Sequence, residues 1–292
     1  MFGSHLSIAG GLENALISAQ QYGMDCVQVF TKNQRQWHVP ELTDQKIERW
    51  HEHLTSTGLK QVVSHDSYLI NLASPKAETR NKSIDLFREE LVRCDKLSIP
   101  YLVTHPGSHM KEGEEAGLQR VADALDYLHR QLPDLAVTTC LEVTAGQGTQ
   151  LGYRFEHLAK LIELVEESDR LGVCLDTAHM LAAGYDLTSE KGTRAALRQL
   201  DQLIGLDRVH CIHMNDSNVE FNRRVDRHAH IGHGYVGQEA FRVMINHRRL
   251  KNVPKILETP KGENEQGKPW DAVNLQALRN LRRKAGRGSR RG

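Results

Sequence analysis

The stretch Val173-Cys174-Leu175-Asp176-Thr177 (VCLDT) is an apolar run that ends on a carboxylate, and five runs like it are spaced along the chain. They are VVSHD (62–66), LVTHP (102–106), TCLEV (139–143), CIHMN (211–215) and KILET (255–259), ending on His65, His105, Glu142, His213 and Glu258. Successive strand residues point to opposite faces, so each of these polar residues shares its face with the residue two before it. Those partners are Val63, Val103, Cys140, Cys174, Cys211 and Ile256, all small or branched and apolar. The pattern is that of a packed barrel interior whose polar groups stand only at the rim where the strands end.

Working outward from these runs, strands are expected near 2–6, 26–30, 61–64, 100–104, 137–142, 171–176, 208–213 and 254–258. Between them lie GLENALISAQQYG (11–23), FEHLAKLIELVEESDRLG (155–172) and EKGTRAALRQLDQLIG (190–205), with apolar residues at i, i+3 and i+4 and a glycine stop. Strict alternation of strand and helix implies parallel strands with right-handed crossovers. Eight such units favour a closed (β/α)8 TIM barrel over an open sheet, which would gather its site at one switch point rather than from six strand ends. A chain of 292 residues suits one such domain of about 250 residues. The expected organisation is therefore a barrel over 1–284 with a metal site at the carboxyl rim of its strands, and a basic tail over 285–292 expected to be disordered.

Composition narrows the class further. With 39% hydrophobic and 26% charged residues the chain can bury a core, and no apolar run approaches the ~20 residues of a membrane span. The segment MFGSHLSIAGG has no basic stretch leading into an apolar one, so a secretory signal is not expected and the cytoplasm is the expected location. Five cysteines, at 26, 94, 140, 174 and 211, form no CxxC pair and read as reduced core residues. A net charge of +1 predicts no polyanion partner by itself, but cations concentrate in NRRVDR (222–227), in NHRRLK (246–251) and from Arg279 to the end, where seven Lys/Arg stand without an acid. Nothing points to a protein partner. GSHLSIAGG (3–11) is neither GxGxxG nor a GKS/T loop, and no GxSxG or Cys–His arrangement suggests a protein nucleophile. His51, His53 and His129 fall on helical surface patterns without an assigned role.

Three more candidate ligands follow the sixth and seventh strands: His179 in DTAHM, and Asp226 with His228 in VDRHAH. Five histidines and four carboxylates without thiolate suit zinc or manganese better than calcium or magnesium, which prefer oxygen shells. Nine ligands exceed what one ion takes, whereas three ions of roughly four-fold coordination with one bridging carboxylate absorb them. Clustered divalent ions sharing a bridging hydroxide suit in-line attack of water on a phosphodiester, because they lower the pKa of the water and neutralise the developing charge.

With those residues assembled, the chain resembles the endonuclease IV family of DNA-repair enzymes. The likeness runs through GSHLSIAGG, VFTKNQRQW, HDSYLINLASP, HPGSH, LEVTAGQG, CLDTAHMLAAGYD, HMNDS, VDRHAHIGHG and LETP. The resemblance implies a TIM barrel with three zinc ions, with manganese as the alternative at one position, acting on duplex DNA. It implies incision 5′ to an abasic site, leaving a 3′-hydroxyl and a 5′-deoxyribose phosphate. It implies that His65 and His105 hold the first zinc and that Glu142 bridges it to the second. Asp176, His213 and Glu258 complete the second, while His179, Asp226 and His228 hold the third, and Glu142 and Glu258 are the catalytic carboxylates. Arg35 in KNQRQW and Tyr68 with Leu69 in HDSYLIN match the family's DNA-inserting groups. The GRGSRRG ending has no counterpart in that likeness. The alternative is a single-metal sugar isomerase or epimerase on the same barrel, which would need only Glu142, Asp176, His213 and Glu258.

Overall fold

The computed structural model describes residues 1–282. Its barrel strands are β1 (Phe2–His5), β2 (Cys26–Val29), β3 (Gln61–His65), β4 (Tyr101–Thr104), β5 (Thr138–Glu142), β6 (Leu171–Asp176), β7 (Val209–His213) and, after a short pair β8 (Asp216–Ser217) and β9 (His228–Ala229), β10 (Lys255–Leu257). All eight expected strands are present, with no end shifted by more than one residue. They pair in parallel and close in the order β1-β10-β7-β6-β5-β4-β3-β2, so the chain is a single (β/α)8 TIM barrel.

Closure follows from the two periods in the sequence. Inside the barrel, Cys26, Val63, Val103, Cys140, Cys174, Cys211 and Ile256 form one fully buried cluster. Six of these seven are the residues two before the strand-end ligands, as the alternation of strand faces requires. Outside, helices α1 (Glu13–Gln21), α2 (Asp44–Thr57), α3 (Ala77–Lys96), α4 (Glu114–Gln131), α5 (Phe155–Leu164), α6 (Thr177–Ala183), α7 (Glu190–Leu203), α8 (Gln238–Asn246) and α9 (Trp270–Asn280) bury Trp50, Phe87, Phe155 and Phe241 against the strands. Trp50 satisfies its indole N–H on the Leu97 carbonyl at 2.8 Å.

Two local expectations are revised. The helix expected over 155–172 stops at Leu164, because Val165 turns to an extended backbone and is buried, and a single 3-10 turn (Ser168–Arg170) leads into β6. His129, expected on a surface, is buried on α4. Of the basic clusters, NHRRLK lies before β10, away from the carboxyl rim, and its Arg249 is paired with Asp201 and Asp207. The proposed tail, 285–292, lies outside the described residues. Among those described, no helix is long and apolar enough to cross a membrane.

Gly3 of β1 stands opposite Cys26 of β2, and a Cβ there would fall 1.9 Å from the Cys26 carbonyl oxygen. That contact is with backbone, so no side-chain rotation relieves it. Gly3→Ala is expected to destabilise the barrel by about 3 kcal/mol, read as a lower denaturation midpoint in urea; an unchanged midpoint would show that the strands can part without cost.

Candidate metal centre

The strand ends and the loops just beyond them bring all nine candidate ligands to one rim. Among the described residues, three groups of His, Asp and Glu place their donor atoms within 4.8 Å of one another: His65/His105/Glu142, Glu142/Asp176/His213/Glu258 and Asp176/His179/His228. Glu142 belongs to two groups and its oxygens divide between them. Its Oε2 faces His65 Nε2 at 3.2 Å and His105 Nε2 at 3.4 Å, while its Oε1 faces His213 Nδ1 at 3.1 Å. Asp226 joins the third group from its loop, with Oδ1 3.2 Å from His179 Nε2 and 3.4 Å from His228 Nε2.

Three of the five imidazoles are aimed by their second nitrogen. His65 Nδ1 meets the Asp66 carbonyl at 2.9 Å, His179 Nδ1 the Val143 carbonyl at 3.0 Å and His228 Nδ1 the Glu258 carbonyl at 3.3 Å. A ring nitrogen tied to a carbonyl carries a proton, so the other nitrogen is the one that would give up its proton and turn a lone pair into the site when a cation binds. The Nε2 atoms of His179 and His228 are buried and make no hydrogen bond, although Asp226 is close. Donor atoms that converge on one space without pairing to each other fit a cation between them. Mixed imidazole and carboxylate donors favour a transition metal of the zinc or manganese type.

Protonation without a cation tells the same story. Burial lowers the affinity of His65 for a proton, but the Asp66 and Glu142 carboxylates outweigh it and hold the ring well above the ordinary histidine range. For His179, Asp176, Asp226 and Glu142 likewise override burial, and for His213 Glu258 and Glu142 do so. Conversely, burial would raise Glu142, yet His213, His105 and His179 pull it well below the usual carboxylate range. Protons on the imidazoles thus substitute for the positive charge the cluster demands.

Residues not singled out in the sequence build the support. Asp176 caps α6 by accepting from the His179 N–H at 2.8 Å, and its other oxygen accepts from Asn215 Nδ2 at 2.7 Å. Asn215 Oδ1 takes the Glu258 N–H at 2.7 Å, so one amide ties two ligands together. Buried Asp216 accepts the backbone N–H groups of Ser217, Gly232, Gly234 and Val236, pinning the loop after His228. Asp216 directly follows CIHMN and could have been noticed as a carboxylate just past a buried strand, whereas the amide Asn215, inside that run, gave no such signal. The thiols Cys174 and Cys211 also approach His213, but its Nδ1 faces the carboxylates, and all five cysteines are buried and free.

Two cavities flank the ligands. One of about 810 Å³ is lined in part by His5, Phe30, Arg35, His228, Glu258 and Lys261; the other, about 350 Å³, by His65, Asn71, His105, Ser108 and Asp226. Tyr68 lines both and is 64% exposed, whereas Leu69 is half-buried against the core. The Arg35 loop is anchored from below. Buried Lys32 donates to the Asn33 and Gln36 carbonyls, Arg93 to those of Thr31 and Pro40, and Ser67 to that of Gln34. The NRRVDR loop reaches the same rim, with Arg224 over the Tyr153 ring at 4.5 Å.

The chain has relatives among known proteins. A family model described as a xylose isomerase-like TIM barrel matches residues 16–284. The chain is 50% identical over 280 residues to a probable endonuclease 4 of Chloroflexus aggregans, covering 96% of this chain and 97% of that protein. With a probable endonuclease 4 of Geobacter sulfurreducens it shares 46% identity over 282 residues, covering 97% and 94%. The crystal structure of endonuclease IV from Thermus thermophilus superimposes with a TM-score of 0.84 at 35% identity, covering 96% of this chain and 98% of that one. A D-tagatose 3-epimerase-like protein, at 20% identity and a TM-score of 0.69 over 96% of each chain, shares the fold alone.

Because His65, His179 and His213 are held protonated without a cation, zinc binding to the metal-stripped protein at pH 7 is expected to release protons. Calorimetric heats should then vary with the ionisation enthalpy of the buffer; heats identical in all buffers would contradict the assigned protonation.

Proposed function

We propose, for a chain that belongs to the endonuclease IV family, that it hydrolyses the phosphodiester bond 5′ to an abasic site in duplex DNA, leaving a 3′-hydroxyl and a 5′-deoxyribose phosphate. Membership makes the protein a DNA-repair endonuclease that uses metal. The finer reading rests chiefly on one observation, that His65, His105 and Asp226 with His179 and His228 gather around the quartet Glu142, Asp176, His213 and Glu258. A sugar isomerase needs the quartet and has no use for the rest.

In this reading three zinc ions are bound, with manganese as the alternative at one position. His65 and His105 would hold the first, Glu142 would bridge it to the second beside Asp176, His213 and Glu258, and His179, Asp226 and His228 would hold the third. Zinc there lowers the pKa of bound water and offsets the charge that develops on the phosphate. Glu142 and Glu258 are the catalytic carboxylates of the proposal: Glu142 holds the groups in register through its two oxygens, and Glu258 faces the larger cavity, where substrate would lie.

Selectivity follows from the cost of unstacking. A nucleotide without a base has no stacking to lose and rotates out of the helix more cheaply than an intact one. Exposed Tyr68, standing between the cavities, and Arg35 would fill the gap left in the duplex, as wedge residues of minor-groove binders do. Leu69, half-buried beside Tyr68, would support it. The protein is placed in the cytoplasm, acting on the nucleoid, and residues 285–292 are read as a basic tail appended to a domain of 1–284.

The direct test is incision of an end-labelled duplex carrying one abasic analogue. The expected result is a single cut 5′ to the lesion that is lost on metal stripping and restored by zinc; no cut by metal-replete protein would move the reading to the isomerase. Glu142→Gln is expected to fold normally and lose on the order of 10³-fold in kcat, and near-native turnover would remove Glu142 from the centre. Tyr68→Ala should lower the preference for abasic over intact duplex about tenfold with zinc content unchanged; zinc loss would make Tyr68 a structural residue.

A further inference from the structure

We infer that Gln28 is a positioning residue for the metal centre: its side-chain amide locks the His213 ring in one tautomer and holds Glu258 beside it. The inference rests on the metal reading above and concerns a residue outside the ligand set. Gln28 lies in the middle of β2, in the otherwise apolar run CVQVF, and is fully buried. It stands two residues after Cys26 of the interior cluster, so it points into the barrel beneath the rim. A buried amide costs about 1–3 kcal/mol when unpaired, and this one is paired at both ends.

Its Oε1 lies 2.8 Å from His213 Nε2. Its Nε2 donates to Glu258 Oε1 at 2.7 Å and lies 3.0 Å from His5 Nδ1. The Glu258 carboxylate decides which way round the amide sits, because exchanging oxygen and nitrogen would set two acceptors against each other. An amide oxygen can only accept, so His213 Nε2 must be the protonated nitrogen. Nδ1 is then directed at Glu142 Oε1 (3.1 Å), Glu258 Oε2 (3.2 Å) and Asp176 Oδ2 (3.7 Å), where a cation would stand.

The other tied imidazoles, His65, His179 and His228, are fixed by main-chain carbonyls. His213 alone among these four depends on a side chain, and the same side chain reaches a second ligand of the same group. His5 completes the arrangement: its ring packs at a tilt against Phe30, with centroids 4.2 Å apart, and lies 3.4 Å from Glu258 Oε1. A partner that orients metal ligands usually tunes metal affinity by 10–100-fold, and the group that would feel it here is Glu142/Asp176/His213/Glu258.

The test compares unaltered holoenzyme with Gln28→Met, which keeps side-chain volume and removes both polar ends. Zinc affinity is read by competition with a chromophoric chelator, alongside kcat and KM for an abasic duplex. Expected are a 10–100-fold weaker hold on one ion, a fall in kcat and an unchanged KM. Zinc held as tightly as in the unaltered protein, with native kcat, would overturn the inference. Loss of fold without loss of the lock is separated by a second measurement on the unaltered holoenzyme, the histidine ¹⁵N spectrum: a His213 ring protonated at Nε2 supports the inference and one protonated at Nδ1 overturns it. If unaltered protein held no zinc at all, the metal reading itself would fall, an outcome distinct from tight zinc in Gln28→Met.

Discussion

The rest of this structure depends on the repulsion stored at one end of the barrel. Parallel strands bring all their carboxyl ends to the same rim, so Glu142, Asp176, Glu258 and Asp226 are gathered with five imidazoles into a space where several donor atoms lie within 4.8 Å. Four carboxylates so close cannot all stay ionised in a poorly solvated site unless positive charge lies among them. Protons on the imidazoles supply it in the absence of metal, and divalent cations supply it more fully. The apolar ring beneath, from Cys26 to Ile256, excludes water from below and leaves that charge demand undiluted.

The support around the ligands is arranged to keep the cluster from relaxing. Asn215 joins Asp176 to the backbone of Glu258, Asp216 collects four amides from the loop after His228, and Gln28 spans His213 and Glu258. Above them, the Arg35 and Tyr68 loops are tied together by Ser67 donating to Gln34 at 2.6 Å and are fixed to α3 through Arg93, while Glu90 of the same helix accepts from Thr31. Burial lifts the Glu90 carboxyl to about 7 in spite of Lys32 and Arg93 nearby. The exposed groups proposed to meet DNA are therefore carried on a firm base.

Much of this was legible in the chain because two simple periods coincide. Strand alternation places a residue such as Cys174 inside and Asp176 at the rim from local sequence alone, and repetition of that pattern in six strands specifies a closed barrel. A count of three ions with one bridging carboxylate was readable from the ligands and the grouping was implied by the family resemblance, but the sharing of Asp176 between two groups was not, since it depends on a loop returning His228 across the rim through the β8–β9 pair. Gln28 and Asn215 escaped notice for a different reason. An amide has no distinctive spacing to announce it, and its role appears only when strands from distant parts of the chain are adjacent. The premature end of α5 at Leu164 reflects burial of Val165, a tertiary demand that overrides helical periodicity.

Shared architecture does not separate the nuclease from the epimerases that adopt the same barrel; the proposal separates them by the ligands beyond the quartet. The most direct test of the account is anomalous diffraction at the zinc edge from crystals of the native protein. Three peaks are predicted, one within each of the groups His65/His105/Glu142, Glu142/Asp176/His213/Glu258 and Asp176/His179/His228. A single peak confined to Glu142, Asp176, His213 and Glu258 would contradict it and give the centre of a one-metal isomerase.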